Sequence, residues 1–183
     1  REMLASKGEK IEGKACTISG SGNVAQYCAM KILEYGGKVI TMSDSGGYIY
    51  DKDGIDESKL AWIQDLKNNK RGRIKEYVSE YKEAVYHAGE RPWGEACDIA
   101  LPSATQNEIE EKGAKNLVKN GCIAISEGAN MPTSPEAYTI LNEAGVLFGP
   151  AKAANAGGVA VSALEMSQNA SFDEWTSEKV DSK

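Results

Sequence analysis

Between residues 14 and 44 the spacing of apolar positions changes period. Ala15-Cys16-Thr17-Ile18 is a short β-favouring run. It enters a turn of small residues, Ser19-Gly20-Ser21-Gly22, beyond which apolar side chains recur four apart: Val24, Cys28 and Ile32 on one line, Ala25, Ala29 and Leu33 on the next. A continuous apolar run followed by a repeat near 3.6 predicts strand, tight turn and helix. Gly36-Gly37 stops that helix, and Lys38-Val39-Ile40-Thr41-Met42 predicts a second strand ending near Asp44.

Beyond it, residues 45–54 form a glycine-bounded run with a turn, predicting a small hairpin or an irregular excursion. Asp56 stands where a cap is needed for a helix carrying Leu60, Ile63, Leu66 and Lys67, and Ile74, Tyr77, Val78 and Tyr81 predict another over 73–81. Residues 84–86 read as a short strand, and 89–94, with Pro92 and Trp93, as a loop. Three more apolar runs, 97–101, 122–126 and 146–148, predict strands separated by helices. Thr105 with Glu108, and Thr133 with Glu136, fit capping boxes at the starts of those helices, with Gly113 and Gly121 at loose ends and Gly145 closing the second. The stretch from Lys152 to Ala170 is expected to begin as a loop and become helical. Strands alternating with helices predict an α/β fold, a doubly wound, mostly parallel sheet with helices on both faces. The expected organisation is a connecting helical segment over 1–13, a dinucleotide-binding domain over 14–150, and a cleft-lining loop and helix over 151–183.

The 183 residues suffice for one well-buried domain, and a net charge of −6 argues against non-specific nucleic-acid binding. There is no apolar run long enough for a membrane span and no signal-peptide pattern, so a soluble, cytoplasmic protein is expected. The chain opens on Arg1 in a polar helical stretch, which reads as a fragment of something longer. Cys16, Cys28, Cys97 and Cys122 are far apart, there is no CxxC, and His87 is the one histidine, so buried reduced thiols are expected rather than a metal site.

The chemistry of the first turn follows from its spacing. Ser19-Gly20-Ser21-Gly22-Asn23-Val24-Ala25 contains a GxGxxA after a strand and at a helix start, with Asp44 about twenty residues on, the pattern of a dinucleotide site. Gly20 permits the turn, Gly22 lets backbone approach a pyrophosphate, and Ala25 seats the helix close to the strand. The free N–H groups of the helix start face the phosphates. A purely structural turn needs the same glycines, but not the distal acid. Ligands of an open parallel sheet lie at the carboxyl ends of its strands. Those ends here are Ser19 to Gly22, Ser43-Asp44-Ser45, Pro102 to Asn107, Glu127 to Asn130 and Gly149 to Lys152, all small or polar. Thr105 also has the plainer role of a helix cap. Lys67, Lys70, Arg71 and Arg73 read either as a solvated complement to a helix dipole or as partners of a phosphate monoester. On a helix Asn155, Val159 and Ser162 share a face, suited to close packing or to a small amphipathic substrate.

With those residues in hand, the chain resembles the hexameric NADP-type glutamate dehydrogenases of the Glu/Leu/Phe/Val dehydrogenase superfamily, in their cofactor-binding domain. The likeness lies in SGSGNVAQY (19–27), VITMSDS (39–45), DIALPSATQNE (98–108), EGANMPT (127–133) and KAANAGGVAVSALEMSQNA (152–170), in order over nearly the whole chain. It implies a Rossmann-like fold and reversible oxidative deamination of L-glutamate to 2-oxoglutarate and ammonia. It also implies a homohexamer with no membrane or nucleic-acid partner. By position it puts Asn23 at the pyrophosphate or ribose, Ala104 and Thr105 on the nicotinamide side, and Asn130 and Asn155 at the nicotinamide ribose and amide. Val159 and the Ser162 hydroxyl would meet the substrate. The family's acid/base lysine and aspartate come from another domain across a cleft, so no catalytic residue is assigned in this chain.

For the cofactor, Asp44 favours the free ribose of NAD. Ser43, Ser45 and the basic segment with Lys67, Lys70 and Arg73 favour the 2′-phosphate of NADP, so NADP is expected with NAD possible. Two other readings stay open: a dehydrogenase of leucine, valine or phenylalanine, and a dinucleotide sensor without chemistry. An apolar substrate would leave the Ser162 hydroxyl unpaired.

Overall fold

A computed structural model describes residues 1–182. The elements run α1 (Glu2–Ala5), β1 (Ala15–Ile18), α2 (Asn23–Glu34), β2 (Lys38–Asp44), β3 (Gly47–Tyr50), α3 (Glu57–Gln64), α4 (Tyr77–Glu80), β4 (Val85–Ala88), β5 (Ile99–Leu101), α5 (Glu111–Lys119), β6 (Ala124–Ser126), α6 (Pro135–Glu143), β7 (Leu147–Gly149), α7 (Ala151–Ala154), α8 (Ala156–Ala170) and α9 (Ser177–Asp181). The strands form one seven-stranded sheet in the order β4-β3-β2-β1-β5-β6-β7. Neighbours from β2 through β7 across β1 are parallel, while β3 runs antiparallel to both β2 and β4 as the excursion beyond Asp44. The chain winds outward from β1 to β4, then returns to lay β5 on the other side of β1. The carboxyl ends of β1 and β5 therefore diverge into connections on opposite sides, the point at which such sheets open a crevice.

Alternation along the strands builds two cores. From β1 and β2, Cys16, Ile18, Val39 and Met42 face one side and pack with Ala25, Ala29 and Ile32 of α2 and Leu60 and Ile63 of α3. Ile40, Ala100 and Ile125 point the other way, onto Ala114 and Leu117 of α5, Ala137 and Leu141 of α6, and Trp93. Helices thus cover both faces, each fully buried aliphatic side chain contributing about 1.5–3 kcal/mol. Leu4 of α1 joins the first core, so the opening segment is docked at the β7 edge. A buried polar link ties α3 to β3: Asp51, with no exposed surface, accepts from Lys59 Nζ at 2.7 Å and Tyr77 Oη at 2.8 Å.

Several termini follow the expected chemistry. Asp56 caps α3 by accepting from Lys59 N, Gly36 leaves α2 at φ +73°, and Gly145 leaves α6 at φ +73°. Others differ. No helix starts at Thr105; α5 begins at Glu111, and the Glu108 carboxylate instead folds back onto the amides of Ala104 and Thr105 in an irregular turn. Gly113 sits inside α5, where Trp93 lies so close that a side chain there would crowd it. The cap of α6 is Ser134, not Thr133: its hydroxyl accepts from Ala137 N, while Thr133 Oγ1 is buried without a partner. A one-residue shift suffices because Pro135 occupies the first helical position, which needs no N–H acceptor.

The helix expected over 73–81 is split into a 3₁₀ turn over Ile74–Glu76 and the short α4. The stretch from Lys152 is helical from the start, as α7, and bends at Asn155 before α8. α8 buries none of its residues: Val159 is 74% exposed, and Val161 and Met166 also face outward.

Candidate functional site

The first turn is held from three directions. Gly20 has φ +83°, and a β-carbon on it would lie 2.9 Å from the Ser103 carbonyl oxygen, so both the conformation and the space demand glycine. Its N–H donates to Ser43 Oγ at 2.7 Å, tying the turn to the end of β2, and Ser19 Oγ accepts from Ser103 N at 2.8 Å, tying it to the end of β5. From α2, the buried Gln26 donates to Ser21 O at 2.8 Å and exchanges two hydrogen bonds with Asn68. Asn68 lies in the π turn over Asp65–Asn69 that extends α3 and carries Lys67. Gly22 is the N-cap of α2. No side chain caps that end, no acid occupies its first turn, and nothing lies within 4 Å of where a Gly22 β-carbon would be. The N–H groups of that turn remain available to an anion, with the helix dipole behind them.

In front of this turn is a cavity of about 790 Å³. Gly20, Ser21, Gly22, Asn23 and Val24 form one wall; Ser43, Asp44, Ser45, Gly47 and Lys67 form a second; Ser103, Ala104, Thr105 and Glu108 form a third. The fourth wall is the 89–92 segment after β4. The sequence carries no sign of this wall, because the segment looks like an ordinary Gly/Pro loop and is brought in only by the antiparallel return of β3 and β4.

Asp44 does not present a free carboxylate here. Oδ1 accepts from Gly46 N at 2.8 Å, Oδ2 accepts from Ile74 N at 2.9 Å, and Lys67 Nζ stands 3.5 Å from Oδ2. Burial opposes its ionisation most strongly, but the Ile74 and Gly46 amides and Lys67 together outweigh that and hold its pKa below the ordinary aspartate value. The carboxylate thereby pins the segment that carries Arg73, whose Nη1 donates to Ser45 Oγ at 2.8 Å beside the cavity. Lys67 also donates to Gly72 O at 2.9 Å. Lys70 is turned away and pairs with Asp65 at 2.6 Å on the exposed side.

The remaining residues singled out from sequence lie around this cavity rather than in its lining. Ser19 is buried beneath the turn. Asn130 is exposed. Asn155 Nδ2 donates to Gly128 O and Ala129 O, both at 3.3 Å, and those two residues donate their N–H groups to Pro102 O. Gly128 is so close to Ser103 and Val24 that a β-carbon would lie 2.7 Å from Ser103 Oγ. The first turn, the β5 loop, the β6 loop and Asn155 are thus one continuous rim. Val159 and Ser162 continue from it along the exposed face of α8. Glu127 and Pro150, at the ends of β6 and β7, border a separate cavity with Met131, Tyr138 and Phe148.

The four cysteines are free; three are buried and Cys28 half-buried. Burial pushes the Cys28 thiol up to about 11. Cys97 and Cys122 share a thiol hydrogen bond that lowers the first and raises the second. They lie at the amino ends of β5 and β6, away from the crevice.

The sequence profile of the Glutamate/Leucine/Phenylalanine/Valine dehydrogenase family matches residues 1–183. The chain is 58% identical over 182 residues to an NAD(P)-specific glutamate dehydrogenase of Xylanibacter ruminicola, covering 100% of this chain and 41% of that protein. It is 54% identical over 181 residues to an NADP-specific glutamate dehydrogenase of Haemophilus influenzae, covering 99% and 40%. A crystal structure of Plasmodium falciparum glutamate dehydrogenase superimposes with a TM-score of 0.94 at 48% identity, over 99% of this chain and 39% of that one. The chain therefore spans about two-fifths of the length of these relatives.

Proposed function

This chain belongs to the Glutamate/Leucine/Phenylalanine/Valine dehydrogenase family, and from that premise we propose that its crevice is the dinucleotide site of an NADP-linked glutamate dehydrogenase. The observation that carries the reading is the uncapped start of α2, fronted by Gly20, Ser21 and Gly22 and opening on a cavity of about 790 Å³. The first-turn amides and Asn23 hold the pyrophosphate. Ser45 and Arg73, with Lys67 behind them, receive the ribose 2′-phosphate by charge-assisted hydrogen bonds. Asp44, whose charge is already met by two amides and Lys67, organises that end instead of repelling it. NAD remains usable, since every contact but the 2′-phosphate is common to both cofactors. Ala104, Thr105, Asn130 and Asn155 border the nicotinamide end.

The bound cofactor supplies or accepts the hydride. The reaction is reversible oxidative deamination of L-glutamate to 2-oxoglutarate and ammonia. The chain's own share is to orient the ring and, through Val159 and the Ser162 hydroxyl, to meet the substrate side chain. The acid and base come from the part of the relatives' length this chain does not span. A hydroxyl at 162 supports a carboxylate-bearing substrate over leucine, since an apolar side chain leaves it unpaired. The full-length protein is proposed to be a soluble, cytoplasmic homohexamer.

The test is turnover by the full-length protein containing this chain. With NADP, kcat/KM for L-glutamate is expected to exceed that for L-leucine by about 100-fold or more. Equal use of the two would overturn the substrate, and tight NADPH binding without glutamate turnover would favour a sensor.

A further inference from the structure

One buried charge borders the crevice without a part in the reading above. Glu108 is 2% exposed, and its backbone position is fixed from both sides: Asn107 before it takes a left-handed turn at φ +51°, and its own carbonyl accepts from Trp93 Nε1 at 3.0 Å. That turn sends the side chain back beneath its own loop. There a single oxygen, Oε1, accepts from Ala104 N at 3.0 Å and from Thr105 N at 3.2 Å. The Ser19 hydroxyl stands near the carboxylate and favours its charged form, and Arg91 Nη1 stands 3.8 Å from Oε2. Beyond Arg91, Glu90, Glu110 and Lys112 border the shallow cavity on the outer side.

The carboxylate thus joins three of the four walls: the first turn through Ser19, the β5 loop through two amides, and the 89–92 segment through Arg91. Burial raises its pKa, and the Ser19 hydroxyl, the two amides and Arg91 work against that rise. Ala104 and Thr105 lie in no helix or strand, and these are the bonds that set the direction of their peptide planes.

We propose that Glu108 is a positioning residue for hydride transfer, fixing through the Ala104 and Thr105 amides the loop against which the nicotinamide rests. The proposal rests on the crevice being the cofactor site. It does not require Glu108 to touch cofactor or substrate. A loop free to drift by about an ångström would still bind the dinucleotide through its phosphates, yet misdirect the ring, a fault that costs up to about 100-fold in rate.

The experiment compares Glu108→Ala and Glu108→Gln in the full-length protein. Glutamine keeps a carbonyl oxygen where Oε1 stands, so it retains the acceptor for both amides and removes the charge. Hydrogen exchange without cofactor is expected to quicken at Ala104 and Thr105 in the alanine variant and to stay slow in the glutamine variant. With substrates, kcat per folded site is expected to fall about 10- to 100-fold for alanine while Kd for NADPH changes less than about threefold; glutamine recovers most of the rate. If the alanine variant does not fold, Glu108→Asp, one methylene short of the amides, carries the same expectation. Unchanged exchange and kcat in the alanine variant, or a glutamine variant as impaired as alanine, would overturn the positioning role while leaving the cofactor site intact. Failure of the wild-type protein to bind NADPH would overturn both.

Discussion

At the scale of single residues, the crevice depends on side chains of very different legibility. Gly20 can be read from sequence because spacing and chemistry coincide: a turn after a strand, a helix after the turn. Gln26 cannot. A glutamine in a helix reads as solvated, and only the fold brings Asn68 from 42 positions away to make it a buried brace for Ser21. Lys70 and Arg73 look alike in the sequence, both cations in one basic stretch, but one pairs with Asp65 and the other reaches Ser45. This difference is testable. Arg73→Glu is expected to raise Kd for NADPH by about 10-fold or more, the equivalent of about 1.4 kcal/mol, with little change for NADH; Lys70→Glu is expected to alter neither. Equal effects of the two substitutions on NADPH, measured by fluorescence titration, would remove Ser45 and Arg73 as the phosphate-binding end.

At the scale of elements, the period of the apolar positions located six of the seven strands to within a residue or two of their ends, and left β3 open as a hairpin or an irregular excursion. It failed where hydrogen bonding overrides pattern. The Thr105–Glu108 pair has the sequence of a helix start, and Glu108 does reach back to free amides, but Asn107 takes a left-handed turn there and the helix is delayed to Glu111. At α6 the cap moved by one residue. Ser134→Ala should cost about 1 kcal/mol, whereas Thr133→Val, which replaces an unpartnered buried hydroxyl, should be neutral or stabilising in urea unfolding. The reverse order would restore Thr133 as the cap.

The turn between β2 and β3 makes a pH prediction. Because Asp44 is held below the ordinary aspartate value of 3.8, its stabilisation is fully present above that value and is lost as pH falls through the lower folded-state value. Asp44→Asn should therefore destabilise by about 1–2 kcal/mol at neutral pH, with the gap from wild type closing in acid. A gap independent of pH would mean that the carboxylate's charge is not what pins the turn.

For the whole molecule, the alternation of strands with helices was enough to foresee a sheet covered on both faces, and the two cores divide as the odd and even positions of β1 and β5 require, while β2 changes parity between Val39 and Met42 where its register against β1 shifts. Two features were not foreseeable. The fourth wall of the crevice arises from an antiparallel excursion whose residues carry no ligand signature. The exposed apolar face of α8 reads in sequence as suited to close packing or to a small substrate, because periodicity reports that a face is apolar and not what it meets. Among the described residues none of α8 is buried, so Val159 and Ser162 stand exposed beyond the Asn155 contacts with the β6 loop.

The central claim, that a dinucleotide lies along the rim from the first turn to the β5 loop, is tested most directly by hydrogen exchange on the protein with and without saturating NADPH. Slowed exchange is expected in peptides covering Gly20 to Ala25, Ser43 to Ser45 and Ser103 to Thr105, with the amino ends of the same strands unchanged. Protection absent from the first turn and gathered instead around Met131, Tyr138 and Phe148 would contradict it.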